Sequence, residues 1–173
     1  VGYKSQSQGA STSFRLTSLA MVDASTGWAA GYNGTIMRTT NGGGAWTVQS
    51  GGTSNHLDGL FAWDASRAWV VGNLGTVIAT TNGGATWTTQ AAGVTTAWLH
   101  GVTFTSSQNG WAVGDNGTLL RTTNGGAAWT PQAPAEAPAL RALAFSSAHQ
   151  GWLVGDGGGG REPAVSYTHL TPP

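Results

Sequence analysis

The chain has 173 residues with 28 glycines, 9 tryptophans and no cysteine, and only 8% of its residues are charged, 7 basic against 7 acidic. A formal net charge of zero with one lysine, Lys4, excludes an electrostatic footprint for nucleic acid or an anionic membrane, and the missing cysteines exclude disulfides, thiolate metal sites and cysteine nucleophiles. A hydrophobic fraction of 39% with this many tryptophans excludes a disordered chain, and no apolar run reaches the ~18 residues of a membrane-spanning helix.

The first segment, Tyr3-Lys4-Ser5-Gln6, aligns with Trp46-Thr47-Val48-Gln49 and is expected to be the last strand of an earlier repeat. From there two motifs recur in constant phase. Gly27-Trp28 is answered by Ala68-Trp69, Gly110-Trp111 and Gly151-Trp152, with tryptophans 41, 42 and 41 positions apart. Thr39-Thr40-Asn41-Gly42-Gly43-Gly44-Ala45-Trp46 returns at Thr80 to Trp87 and at Thr122 to Trp129. A fixed period of this length belongs to solenoids, propellers and arrays.

Within one period the local signals are those of strands. In the second repeat Leu60 to Trp63, Trp69 to Val71, Thr76 to Thr80 and Trp87 to Gln90 are short β-branched and aromatic runs bounded by Gly, Asn or Asp. Asn73-Leu74-Gly75 and Asp115-Asn116-Gly117 close the second hairpin of their repeats, and Asn-Gly-Gly closes the third. No window carries helical periodicity, and the alanine-rich stretch from Ala133 to Ala139 is interrupted by Pro134 and Pro138. Four antiparallel strands per 41 residues predict an all-β fold, a β-propeller fragment with one repeat per blade. Three complete blades are expected at about 18–50, 59–90 and 100–132, inside a partial propeller covering 1–158. Residues 159–173 fall outside the repeat, and Val165 to Pro173 resembles a translated sequencing adapter with no native fold.

The three eight-residue segments resemble the Asp-box, or BNR repeat, with Asn41, Asn82 and Asn124 where aspartate is usual. Either side chain can accept backbone N–H bonds and hold a tight turn, while glycine supplies positive φ. The resemblance implies a structural role for Thr39, Asn41, Gly43 and Trp46, for Thr80, Asn82, Gly84 and Trp87, and for Thr122, Asn124, Gly126 and Trp129. The longer run from Gly110 to Trp129 is similar to the blade signature of the photosystem II stability/assembly factor family, a likeness extending over about residues 16 to 158. It implies a seven-bladed, non-enzymatic propeller outside the cytoplasm that binds a protein partner, a membrane-protein subunit in phototrophs, and needs no cofactor. Arg38 and Arg121, at equivalent positions where the second repeat has Ala79, are the candidates for a basic contact surface.

Other chemistry is sparse. Trp63 and Trp98 lie outside the two tryptophan columns and are candidates for a carbohydrate-stacking platform or for core packing. Phe14-Arg15-Leu16-Thr17 weakly resembles the arginine motif of sialidases without its proline, and the repeat accounts for it. Glycoside hydrolysis needs two positioned carboxyl groups. The intact repeats supply only Asp23, Asp58, Asp64 and Asp115, of which Asp23 and Asp64 read as turn caps. His56, His100 and His149 occur one per repeat without convergent metal-ligand spacing, so no metal site is expected. The alternatives to the protein-binding reading are a fragment of a secreted Asp-box glycoside hydrolase or sialidase and a carbohydrate-binding surface propeller. The oligomeric state is not legible.

Overall fold

Tryptophan and β-branched residues alternate with turn glycines, and the chain forms strands and tight turns almost throughout. The computed structural model describes residues 15–132, 138–147 and 150–156, together with the backbone of 164–166. The first sheet contains β1 (Leu16–Met21), β2 (Gly27–Gly31), β3 (Thr35–Thr39) and β4 (Thr47–Ser50). The second contains β5 (Leu57–Ala62), β6 (Ala68–Gly72), β7 (Val77–Thr80) and β8 (Thr88–Gln90), and the third β9 (Leu99–Phe104), β10 (Gly110–Gly114), β11 (Leu119–Thr122) and β12 (Thr130–Pro131). A fourth sheet joins β13 (Leu140–Ser147), β14 (Gln150–Gly155) and β15 (Ala164–Ser166). Every sheet is an antiparallel meander in chain order. The first strands β1, β5, β9 and β13 lie side by side, so the sheets radiate from a common line as propeller blades do.

Burial explains why a single blade is not a stable unit. The second strands, Gly-Trp-Ala-Ala-Gly, Ala-Trp-Val-Val-Gly and Gly-Trp-Ala-Val-Gly, are buried along their whole length. Both faces of each are covered, so these strands carry no polar alternation. The cores run between blades: Trp28, Ala30 and Ile36 of the first pack with Leu57, Val70 and Ile78 of the second, and Trp69, Val71 and Val77 of the second pack with Leu99, Phe104 and Leu120 of the third. Trp69 stacks on Phe104 with ring centroids 3.9 Å apart. Apolar burial therefore rewards stacking of neighbours, as in other repeat architectures.

The first three sheets run from Leu16 to Ser50, from Leu57 to Gln90 and from Leu99 to Pro131, and their first strands have an irregular start. The first strand of the second blade starts at Leu57, three residues before the run beginning at Leu60. A β-bulge between Leu57 and Gly59 breaks the alternation there and places Asp58 as the extra residue. The same irregularity falls at Thr17 in β1, at His100 in β9 and at Arg141 in β13. Beside it, the glycine ending each second strand permits close approach: a Cβ on Gly72 would stand 1.9 Å from the His56 carbonyl oxygen, and one on Gly114 2.1 Å from that of Trp98.

Candidate functional site

The Asp-box-like segments sit at one end of the blades, on the β3–β4, β7–β8 and β11–β12 hairpins. In each, the threonine hydroxyl is the hub. Thr80 Oγ1 accepts from the Gly84 N–H at 2.8 Å and the Asn82 N–H at 3.3 Å and donates to Asn82 Oδ1 at 3.0 Å. Asn82 Oδ1 also accepts the Thr86 N–H at 3.0 Å. Thr39 with Asn41, and Thr122 with Asn124, repeat this pattern, and all three threonines are 1% exposed. Paired glycines at positive φ, such as Gly83 and Gly84 at 70° and 82°, carry the chain round the turn. Each box is tied to the first hairpin of its own blade by the Gly42, Gly83 and Gly125 N–H groups, which donate to the carbonyls of Ser25, Ser66 and Gln108.

The boxes also join blades, through glutamines that the sequence patterns did not single out. Gln49, at the end of β4, donates Nε2–H to the Gly83 carbonyl at 2.9 Å and accepts Trp87 Nε1–H at 3.2 Å. Gln90, at the end of β8, stands in the same relation to Trp129 at 3.5 Å. A Cβ on Gly84 or Gly126 would fall about on the glutamine amide, 1.9 and 2.0 Å from Oε1. The second glycine of the box therefore leaves room for the preceding blade.

Arg38 and Arg121 lie on β3 and β11 with their guanidinium groups over Trp28 and Trp111, 5.1 and 5.9 Å from the ring centres. Arg38 Nη2 donates to the Ala65 carbonyl of the second blade at 2.9 Å. The two arginines stand on the first and third blades, separated by the blade that carries Ala79, so they do not form one contiguous patch. Asp23 and Asp64 cap the first hairpins of their blades. Asp64 Oδ1 accepts the Ser66 and Arg67 N–H groups at 2.8 Å, and Asp23 Oδ1 accepts those of Ser25 and Thr26 at 2.7 Å. Burial works to raise the Asp64 pKa, but the hydrogen bonds from Arg67 and the Ser66 backbone, together with the Arg67 charge, outweigh it and hold the carboxyl below its ordinary range. Asp23 is lowered by the Ser25 hydroxyl and by the Ser25 and Thr26 N–H groups. Trp63 is 36% exposed beside Phe61 on the box side, whereas Trp98 lies at the opposite end between His56 and His100.

That opposite end, which we call the mouth of the inner strands, holds the densest polar cluster described. The bulge residues link each blade to a neighbour. Thr17 Oγ1 donates to the Leu57 carbonyl at 2.6 Å. Asp58 Oδ2 is 2.9 Å from His100 Nδ1, and His100 Nε2 is 2.8 Å from both Asp115 Oδ1 and Arg141 Nη1. Arg141 in turn pairs through Nε and Nη2 with Asp156, which pulls the Asp156 carboxyl below its usual range. Thr17, Asp58, His100 and Arg141 are 41, 42 and 41 positions apart, each 11 residues before the tryptophan of its blade's second strand. His149 lies outside the described residues. Among the described residues no group of histidine and acidic side chains is arranged to hold a metal ion, and no helix is long and apolar enough to cross a membrane.

Radial four-stranded sheets fastened by box hairpins define the chain as part of a BNR-type β-propeller. Residues 48–131 match the family described as photosynthesis system II assembly factor YCF48, which supports a BNR-repeat propeller of the photosystem II assembly-factor-like kind. Among solved structures it is similar to YCF48 bound to D1 peptide, with 19% identity, a TM-score of 0.69, and coverage of 91% of this chain and 55% of that one. It is similar also to YCF48 from Cyanidioschyzon merolae, with 17% identity, a TM-score of 0.64, and coverage of 92% and 59%. The GH74 enzyme of Niastella koreensis is equally alike in fold, with 20% identity, a TM-score of 0.69, and coverage of 91% and 30%. The chain thus spans somewhat more than half the length of the YCF48 structures it matches. No curated protein matches it in sequence.

Proposed function

We propose that this chain is part of a non-enzymatic, protein-binding propeller that acts as an assembly factor outside the cytoplasm, its partner a peptide segment of a membrane-protein subunit. The observation that carries this reading is the condition of the carboxylates at the mouth. Asp58 and Asp115 flank the two nitrogens of one imidazole, and Asp115 and Asp156 are paired with Arg141. A glycosidase needs its two carboxyl groups separated by space for a sugar oxygen, and for a water molecule in the inverting case; here the His100 ring fills that space. The carboxylates serve to join blades. The partner class is supported by the family match over residues 48–131 and by the relative bound to a D1 peptide. Arg38 and Arg121, each steadied over a tryptophan, are the side chains we assign to the contact.

The hydrolase reading is the second one, favoured by the GH74 neighbours. Fluorescence anisotropy with the D1 peptide as probe separates the two when run beside assays on fluorogenic glycosides. Saturable binding is expected, weakened about tenfold or more, ~1.4 kcal/mol, by the double change Arg38→Ala and Arg121→Ala. Absence of binding, or glycoside turnover abolished by Asp58→Asn, overturns the proposal.

A further inference from the structure

Nε2 of His100 faces two groups that no single protonation state can satisfy. Arg141 Nη1, 2.8 Å away, is only a donor, while the ionised Asp115 Oδ1, also 2.8 Å away, is only an acceptor. On the other side of the ring, Nδ1 lies 2.9 Å from Asp58 Oδ2, which as a carboxylate requires the proton on Nδ1. The neutral ring therefore carries its proton on Nδ1 and presents a bare Nε2. That nitrogen can accept from Arg141 and offers nothing to Asp115. Adding a proton reverses the choice: Nε2–H donates to Asp115, and the Arg141 N–H now meets another donor on a cation.

We propose that His100 is a proton-operated joint between the third and fourth blades. The neutral side chain bridges Asp58 of the second blade to Arg141 of the fourth. Once charged, it bonds Asp58 and Asp115 and leaves Arg141 to its carboxylate partners, Asp156 on the fourth blade and, at 3.4 Å, Asp115. The inner strands β9 and β13 lose one side-chain link at the mouth while the apolar contacts of Leu143 and Phe145 with the third blade persist.

The groups facing the ring come from every side. Asp58 projects from β5, Asp115 from the turn after β10, Arg141 from β13, and Asp156 from the end of β14. His56 approaches only through the Trp98 ring, with centroid separations of 6.4 and 5.8 Å. The strand β6 and the turn Asn73–Gly75 bring no charge. Histidine is the side chain whose charge changes most readily between pH 5 and 8, which is why a proton can work such a joint. The inference stands whether or not the propeller binds a peptide.

Long-range ¹H–¹⁵N NMR of the imidazoles in the 173-residue chain tests it, with His100 assigned from the His100→Gln spectrum. In the wild type at high pH, Nε2 is expected to be the unprotonated nitrogen. Arg141→Met, which removes the donor facing Nε2, is expected to raise the share of the Nε2–H tautomer, and Asp115→Ala to leave the Nδ1–H tautomer in place. Opposite responses from two neighbours of one nitrogen are not produced by a merely structural contact. A neutral wild-type ring protonated on Nε2, or the same tautomer response in the two variants, overturns the proposal. The wild-type tautomer decides the matter even if a variant folds poorly.

Discussion

Replacing Thr80 by valine keeps the shape of the side chain and removes its oxygen, which isolates what the box hydroxyl contributes. The site is 1% exposed, so water cannot take the place of the lost acceptor. The buried Gly84 N–H, now 2.8 Å from Oγ1, would be left without a partner, at a cost of about 1–3 kcal/mol. Loss of the bond to Asn82 Oδ1 adds roughly 0.5–1 kcal/mol, whereas the longer bond from the Asn82 N–H adds little because that residue is exposed. The sum is about 2–4 kcal/mol, which for a chain of this size lowers the thermal midpoint by roughly 5–15 °C. Circular dichroism melts of Thr80→Val beside the exposed neighbour Thr81→Val measure it, the latter staying within about 0.5 kcal/mol of wild type. Asn41→Asp is a further comparison within the same reasoning. Its Oδ1 makes the two box bonds, and an aspartate keeps both, so stability should be unchanged or improved. A Thr80→Val midpoint within about 2 °C of wild type would refute the claim that the hydroxyl organises the turn.

Leu74 occupies the left-handed region at φ 53° and is 66% exposed, where the first and third blades use Asn33 and Asn116. Leu74→Asn is therefore expected to raise stability by about 1 kcal/mol, read from the denaturant midpoint at unchanged m-value. Asp23 and Asp64 have native pKa values below those of the unfolded chain. Their contribution is present above pH ~4 and fades as pH falls through the depressed native values. Urea midpoints taken from pH 5 to pH 2 should decline in the wild type and decline less in Asp23→Asn with Asp64→Asn; parallel curves would contradict the assignment.

The architecture was legible because its marks repeat in kind: tryptophan, glycine and asparagine return at one step, and each has a single physical use in every blade. The mouth cluster was not. Its column holds threonine, aspartate, histidine and arginine, so a search by residue type grouped His100 with His56 and His149 and missed the true equivalents, Asp58 and Arg141. The bulge hid the column further, since an extra residue interrupts the period of two by which a strand is recognised, and the first strands were read as starting too late. The glutamine contact left a clearer trace, Gln49 and Gln90 being 41 positions apart. Nothing local to those residues, however, shows that they reach the following box. Arg38 and Arg121 occupy equivalent positions, opposite Trp28 and Trp111. Equivalence in a repeat nonetheless places residues on different blades, and these two are separated by a whole one.

The glutamine that ends one blade fills the space left by the second glycine of the next blade's box, so every repeat carries half of two different fasteners. Any continuous stretch one period long, wherever it is cut, contains one clasp and one socket. Duplicating such a stretch inserts a matched pair and leaves the existing joints undisturbed, so an array of this kind can gain or lose blades in a single genetic step. The same arrangement gives synthesis a direction. A blade leaving the ribosome already presents the clasp on which the next box closes, and each addition is fastened to what came before it.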